Sequence, residues 1–134
     1  MLFRSVQMTL NLASWNIRGL NMTYKQDDVR SFVLTNKISP LGILETKVRA
    51  SKSLKISRAI LRQWSFFNNN DHQSNGRIWV AWDPSILDVK VEYVSSQIIH
   101  TSVTIMEKNQ RFFASFVYGF NTANERCPLW RDIR

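Results

Sequence analysis

Cysteine is nearly missing from this chain: Cys127 is the only one in 134 residues. A single thiol excludes an internal disulfide and a metal site made of thiolates alone. Long apolar runs are missing too, and none approaches the roughly 18 residues of a membrane-spanning helix. The opening residues, Met1-Leu2-Phe3-Arg4, lack the extended apolar stretch of a secretory leader, so the expected compartment is intracellular and no membrane is expected as a partner. No internal repeat, low-complexity tract or linker divides the sequence, and residues 1–134 read as part of one domain. Acids are scarce in one place above all. From Thr46 to Asn70 there is none, while Lys47, Arg49, Lys52, Lys55, Arg58 and Arg62 all fall there.

What is present fits a globular protein with a basic surface. Hydrophobic residues make up 44% and charged residues 21%. A chain of this length buries roughly two thirds of its unfolded surface, enough for a real core. The net charge is +8, and a basic surface attracts polyanions, of which nucleic acid is the commonest.

Taken in order, Met8 to Trp15 alternates apolar and polar residues as a half-buried strand does. Gly19 and Asn21 mark a turn. Asp27 and Asp28 suit a helix N-terminus, with Val29, Phe32 and Val33 following at helical spacing. Ser39-Pro40 is expected to close that helix before a short buried strand, Leu41 to Leu44. Strand, helix, strand is an α/β layer. A second helix is predicted from Ser51 or Ser53 to Trp64, with Leu54, Ile56, Ile60, Leu61 and Trp64 on one arc and the cations on the other. After a polar loop, residues 68–76, four strands are predicted: Arg77–Trp82, Asp88–Val94, Ile98–Met106 and Arg111–Tyr118. Short turns between them suggest an antiparallel meander. Thr122 to Glu125 fits a capping box that opens a last helix.

Chemistry concentrates where apolar segments meet loops: at Asn16, at Glu45 and from Tyr118 to Asn121. A carboxylate at the end of a buried strand is costly unless a cation or a donor meets it. Glu45 is therefore either a structural charge paired with Lys47 or a site residue, and such strand ends are where α/β folds hold ligands. One carboxylate and one amide suit a hard cation such as Mg²⁺, which keeps several waters. Each position also has a plainer reading. Asn16 caps turns well, and Tyr118 continues the alternation of Phe112, Ala114 and Phe116. The face Lys52, Lys55, Arg58, Arg62 has the pattern of a solvated helix, and Arg77 that of a surface charge. His72 and His100 lack an Asp at any telling spacing and read as structural. Cys127 reads as inert.

Three of these segments together resemble a known family. Ser14-Trp15-Asn16-Ile17-Arg18-Gly19-Leu20 resembles its Trp-Asn-x-x-Gly motif, Leu44-Glu45-Thr46-Lys47 its Glu-Thr-Lys metal motif, and Val117-Tyr118-Gly119-Phe120-Asn121 its Tyr-x-x-Asn motif. The family is the endonuclease/exonuclease/phosphatase superfamily. The wording Gly76 to Pro84 and Asn124 to Trp130 is similar to the endonuclease domains of plant non-LTR retrotransposons. The resemblance implies a deoxyribonuclease-like four-layer α/β sandwich, incomplete in this chain, with mainly one mixed sheet and flanking helices. It implies Mg²⁺, or Mn²⁺ in its place, bound by Glu45 with Asn16 beside it. It also implies a phosphate held by Tyr118 and Asn121, Lys47 as an outer charge, and DNA as the partner. Lys52, Lys55, Arg58, Arg62 and Arg77 are candidates for contacts to the nucleic-acid backbone, and the nucleus is the expected location. No obligate protein partner is implied.

The family's later motifs, Asp-x-Asn and Ser-Asp-His, have no counterpart in this sequence, and Gly119 replaces the usual residue after the tyrosine. The expectation is an N-terminal portion without useful turnover. An apolar sheet face or unpaired edge is expected to be exposed and to favour self-association. The alternative is a non-catalytic, basic nucleic-acid-binding or interaction remnant.

Overall fold

The computed structural model describes residues 10–71, 77–120 and 123–133. The first strand, β1 (Asn11–Asn16), leads into helix α1 (Thr23–Asn36) and strand β2 (Ile38–Leu44). Helix α2 (Ala50–Ile60), strand β3 (Ser65–Asn68) and strand β4 (Ile78–Trp82) follow, then β5 (Leu87–Val94), β6 (Ile98–Ile105), β7 (Gln110–Val117) and helix α3 (Ala123–Ile133). Two sheets result. One is mixed, in the order β1-β2-β4-β3, with β1 and β2 parallel and the other pairs antiparallel. The other is the antiparallel β5-β6-β7.

The apolar run at β2 sits centrally because both of its faces are covered, which a continuous hydrophobic strand requires. One face of the mixed sheet packs on α1 and α2 through Val29, Val33, Leu41, Ile43, Ile56, Ile60 and Trp79. Val29 with Val33 and Ile56 with Ile60 are four residues apart, so each pair lies on one side of its helix. The opposite face meets the second sheet through Ile78, Val80, Ile99, Val103, Ala114 and Phe116. Gly42 makes the close approach possible: a Cβ there would stand 2.3 Å from the Phe116 ring. Each fully buried Ile, Leu or Val in these layers contributes about 1.5–3 kcal/mol. Beyond the second sheet lies α3, reached by hydrogen bonds from Tyr93 to Asp132 and from Gln97 to Glu125. Helices, sheet, sheet and helix make the four layers of an α/β sandwich. Among the described residues no helix is long and apolar enough to cross a membrane.

Several local expectations are corrected. Asp27 and Asp28 lie in the second turn of α1, whose first turn carries no acid. Ser39-Pro40 does not end that helix. Lys37, in the left-handed conformation, ends it by donating its N–H to the Val33 carbonyl. Pro40 instead lies within β2, where the ladder to β1 is bulged and no regular strand donor is needed. α2 stops at Ile60, short of Trp64, and Leu54 faces solvent at 61% exposure. Ser65–Asn68 forms β3; the sequence reading left residues 65–67 unassigned and placed Asn68 in the polar loop. The four-strand meander is a three-strand one, because β4 pairs with β2 and β3. The N-terminal part of the first predicted strand, His72, Asn121 and Thr122 lie outside the described residues.

Candidate functional site

Parallel pairing brings the C-terminal ends of β1 and β2 to the same edge, and the loops beyond them stay in step. Ile17 N–H donates to the Leu44 carbonyl at 3.0 Å, Gly19 N–H to Glu45 at 2.7 Å, and Leu20 N–H to Thr46 at 2.8 Å. Ile17, Leu20 and Val48 are buried and pin both loops to the helical side of the sheet. Glu45 and Lys47 both adopt positive φ, 56° each, with the fully buried Thr46 between them. This conformation costs about 1–2 kcal/mol for a residue with a Cβ. Its consequence is that the Glu45 and Lys47 side chains emerge together while Thr46 turns inward.

Glu45 lies just past β2, and its side chain is 21% exposed. Both carboxylate oxygens are engaged. Tyr118, 73 residues further along, donates its hydroxyl to Oε1, and Lys47 Nζ stands 3.5 Å from Oε2. The Tyr118 hydrogen bond is the main reason that the Glu45 carboxyl is held below the usual carboxylate range. Burial opposes it, and the charges of Lys47 and Arg18 assist. The same bond, with burial, pushes the Tyr118 phenol up, against the lowering influence of Arg77. Lys47 is 62% exposed, so its pairing contributes little in water.

Asn16 is the last residue of β1, opposite Leu44 in the parallel register and exposed. Paired residues of a parallel ladder project to one side, so Asn16 lies on the face that Leu44 turns toward the second sheet. Glu45 and Asn16 thus stand on adjoining strand ends with hard oxygen donors. That set fits a hydrated Mg²⁺. Among the described residues no cluster of three Asp, Glu, His or Cys accompanies them.

Tyr118 is placed by a residue that the sequence reading overlooked. Gln97 is 2% exposed; its carbonyl accepts the Tyr118 N–H at 3.0 Å and its Oε1 accepts the Phe120 N–H at 2.7 Å. Its Nε2 donates to the Glu125 carbonyl, which ties the Tyr118 loop to α3. Asn69 does similar work opposite. Fully buried, it accepts the N–H groups of Arg77 and Ile78 at Oδ1 and donates to the Ser95 and Ser96 carbonyls. Its position in a run of asparagines carried a weak signal at best, since such runs read as loop.

Arg77 is half-buried, with its guanidinium 5.2 Å from the centre of the Tyr118 ring and 4.8 Å from that of Phe120. Lys52, Lys55 and Arg58 are exposed along α2 and Arg62 just beyond it, and none makes a hydrogen bond or ion pair with Glu45 or Tyr118. His100 lies away from Glu45, hydrogen-bonded to Ser115 and to the carbonyl of Asp132. Cys127 is exposed.

No family profile matches the chain, and no curated protein matches it in sequence. Solved structures do match in fold. The endonuclease domain of TRAS1, a telomere-specific non-LTR retrotransposon, superposes with a TM-score of 0.64 at 12% identity, over 90% of this chain and 52% of that one. The AP endonuclease LMAP from Leishmania major gives 0.59 at 15% identity, over 86% of this chain and 42% of that one. The chain thus spans about half the length of the structures it matches. The likeness shows that this chain shares the fold of these two structures.

Proposed function

We propose that this chain carries the metal- and phosphate-holding part of a Mg²⁺-dependent site for hydrolysing phosphodiester bonds in DNA, of the kind used by non-LTR retrotransposon endonucleases. The observation that carries the reading is the meeting of Glu45 with Tyr118 across 73 residues, beside Asn16. In this reading Glu45 and Asn16 hold the cation, with Mn²⁺ able to replace Mg²⁺. Bound there, the ion supplies the positive charge that stabilises oxygen anions in phosphoryl transfer. Tyr118 offers its hydroxyl to a phosphate oxygen, Asn121 is the further phosphate contact, and Lys47 steadies the carboxylate from outside. The exposed cations Lys52, Lys55, Arg58 and Arg62, together with Arg77, draw in the DNA backbone.

Turnover by this chain is expected to be weak. An oriented general base contributes roughly 10²–10⁴-fold, and among the described residues Glu45 belongs to no group of three or more His, Cys, Asp or Glu side chains. A nicking assay on supercoiled plasmid with Mg²⁺ tests this. Trace nicking that Glu45→Ala abolishes is the expected result. Robust nicking lost on Glu45→Ala overturns the low turnover, and nicking indifferent to Glu45 overturns the site.

The solvated basic face of α2 favours a second reading, a non-catalytic nucleic-acid-binding remnant. It predicts DNA affinity that falls steeply with salt and is untouched by Glu45→Ala. A salt-independent isotherm eliminates it. Self-association through β1 and β7, which are edge strands among the described residues and carry Leu12 at 53% and Phe113 at 74% exposure, belongs to either reading.

A further inference from the structure

We propose that Arg77 is the anion receptor of this site: its guanidinium, clamped between Tyr118 and Phe120, binds a phosphate group, and its contact with the Tyr118 ring holds that phenol in place. The inference deepens the reading given above and rests on it for the identity of the anion as a DNA phosphate.

Four observations meet at this residue. Its backbone is fixed on both sides, because the Arg77 N–H donates to Asn69 Oδ1 at 3.3 Å and the Arg77 carbonyl accepts the Glu45 N–H at 2.6 Å. One residue therefore sets the Glu45 main chain and touches the Tyr118 ring. Its side chain is oriented by two aromatic faces rather than by a counter-ion. Among the described residues no ion pair with a carboxylate is seen for it; the pairs Arg30–Asp27 and Lys47–Glu45 do not involve it. Finally, its Nε is buried with no hydrogen-bond partner.

A buried, unpaired donor is costly, and one in a folded protein calls for a reason. Arginine suits this one. A planar guanidinium lies flat against rings while its terminal nitrogens keep the fork that matches phosphate oxygens. The guanidinium lies over the Tyr118 and Phe120 rings and also interacts with the Tyr118 hydroxyl, and it forms no ion pair with a carboxylate among the described residues, so donors remain for an anion. The cation thus stands ready beside the phenol and the carboxylate, where an incoming phosphodiester would otherwise meet the negative charge of Glu45. The exposed cations of α2 differ from it: they have no clamp and act as diffuse charge.

Binding of inorganic phosphate to the metal-free protein, followed by NMR of the Arg77 amide and of ¹³C-labelled tyrosine rings, tests the proposal. Wild type is expected to show saturable shifts at Arg77 and Tyr118. Arg77→Ala should lose roughly tenfold or more in affinity, the scale of a charge-assisted pair of hydrogen bonds. Arg77→Lys should recover only part, because an ammonium neither stacks flat nor forks. Phe120→Leu, which keeps the charge and removes one ring, should weaken binding and shift the Tyr118 signals, so the test survives if Arg77→Ala fails to fold. Unchanged affinity in Arg77→Ala, full recovery by Arg77→Lys, or shifts confined to α2 would each overturn the proposal. Mn²⁺ binding by the same proteins separates the two levels. Loss of Mn²⁺ in Glu45→Ala with phosphate binding retained supports both. Mn²⁺ retained in Glu45→Ala removes the metal reading and leaves the anion receptor standing.

Discussion

Replacing Tyr118 with phenylalanine removes the hydroxyl that bonds Glu45 and also interacts with Arg77, and leaves the ring under Arg77, so the coupling to Glu45 is read from a double-variant comparison. A hydrogen bond to a charged group contributes about 1.5–3 kcal/mol. Glu45 is 21% exposed, and water recovers part of the loss, so the expected destabilisation at neutral pH is about 1–2 kcal/mol. The pH dependence gives the sharper test. Because Glu45 is held below its ordinary value mainly by Tyr118, its folded carboxyl gives up its proton more readily than the unfolded one. Stability from this pair is therefore present above the unfolded value of about 4.3 and is lost as the pH falls through the lower folded value. Urea unfolding of wild type, Tyr118→Phe, Glu45→Ala and the double variant, at neutral and at acid pH, measures this directly. A coupling of about 1–2 kcal/mol at neutral pH that fades in acid is expected. A coupling near zero, or one indifferent to pH, refutes the reasoning.

Two further outcomes follow from the packing and the charge. Gly42→Ala forces a methyl to within 2.3 Å of the Phe116 ring and should cost about 1–3 kcal/mol in denaturant unfolding, with Phe116→Leu in the same chain restoring part of it. Neutralising Lys52, Lys55 and Arg58 together should flatten the salt dependence of duplex binding, by a slope of roughly 0.9 per charge that contacts phosphate; an unchanged slope places the DNA elsewhere.

The sequence was most legible where local pattern and global position agree. The Leu41–Leu44 run, the alternation around Val89, Val91 and Tyr93, and the spacing of Val29 and Val33 each fix an element without outside help. Glu45 and Tyr118 drew notice as candidates because each ends such an element. Partners were harder to read. Nothing local says that β4 pairs with β2 across more than thirty intervening residues rather than with β5, and that choice decides which sheet carries Arg77. Asn69 and Gln97 went unnoticed for the same reason. Their work lies in hydrogen bonds to strand ends and to α3, and a buried amide leaves no periodicity in a sequence. Arg77 read as a surface charge because its burial comes from Tyr118 and Phe120, residues of a distant loop.

The account stands on Asn16 and Glu45 sharing one cation. Adding Mn²⁺ to ¹⁵N-labelled protein and recording the loss of signal around each residue reports whether they do. Broadening that reaches the Asn16 side-chain amide and the Glu45 amide together, and that disappears in Glu45→Ala, is the predicted result. Broadening centred elsewhere, or reaching only one of the two residues, contradicts it.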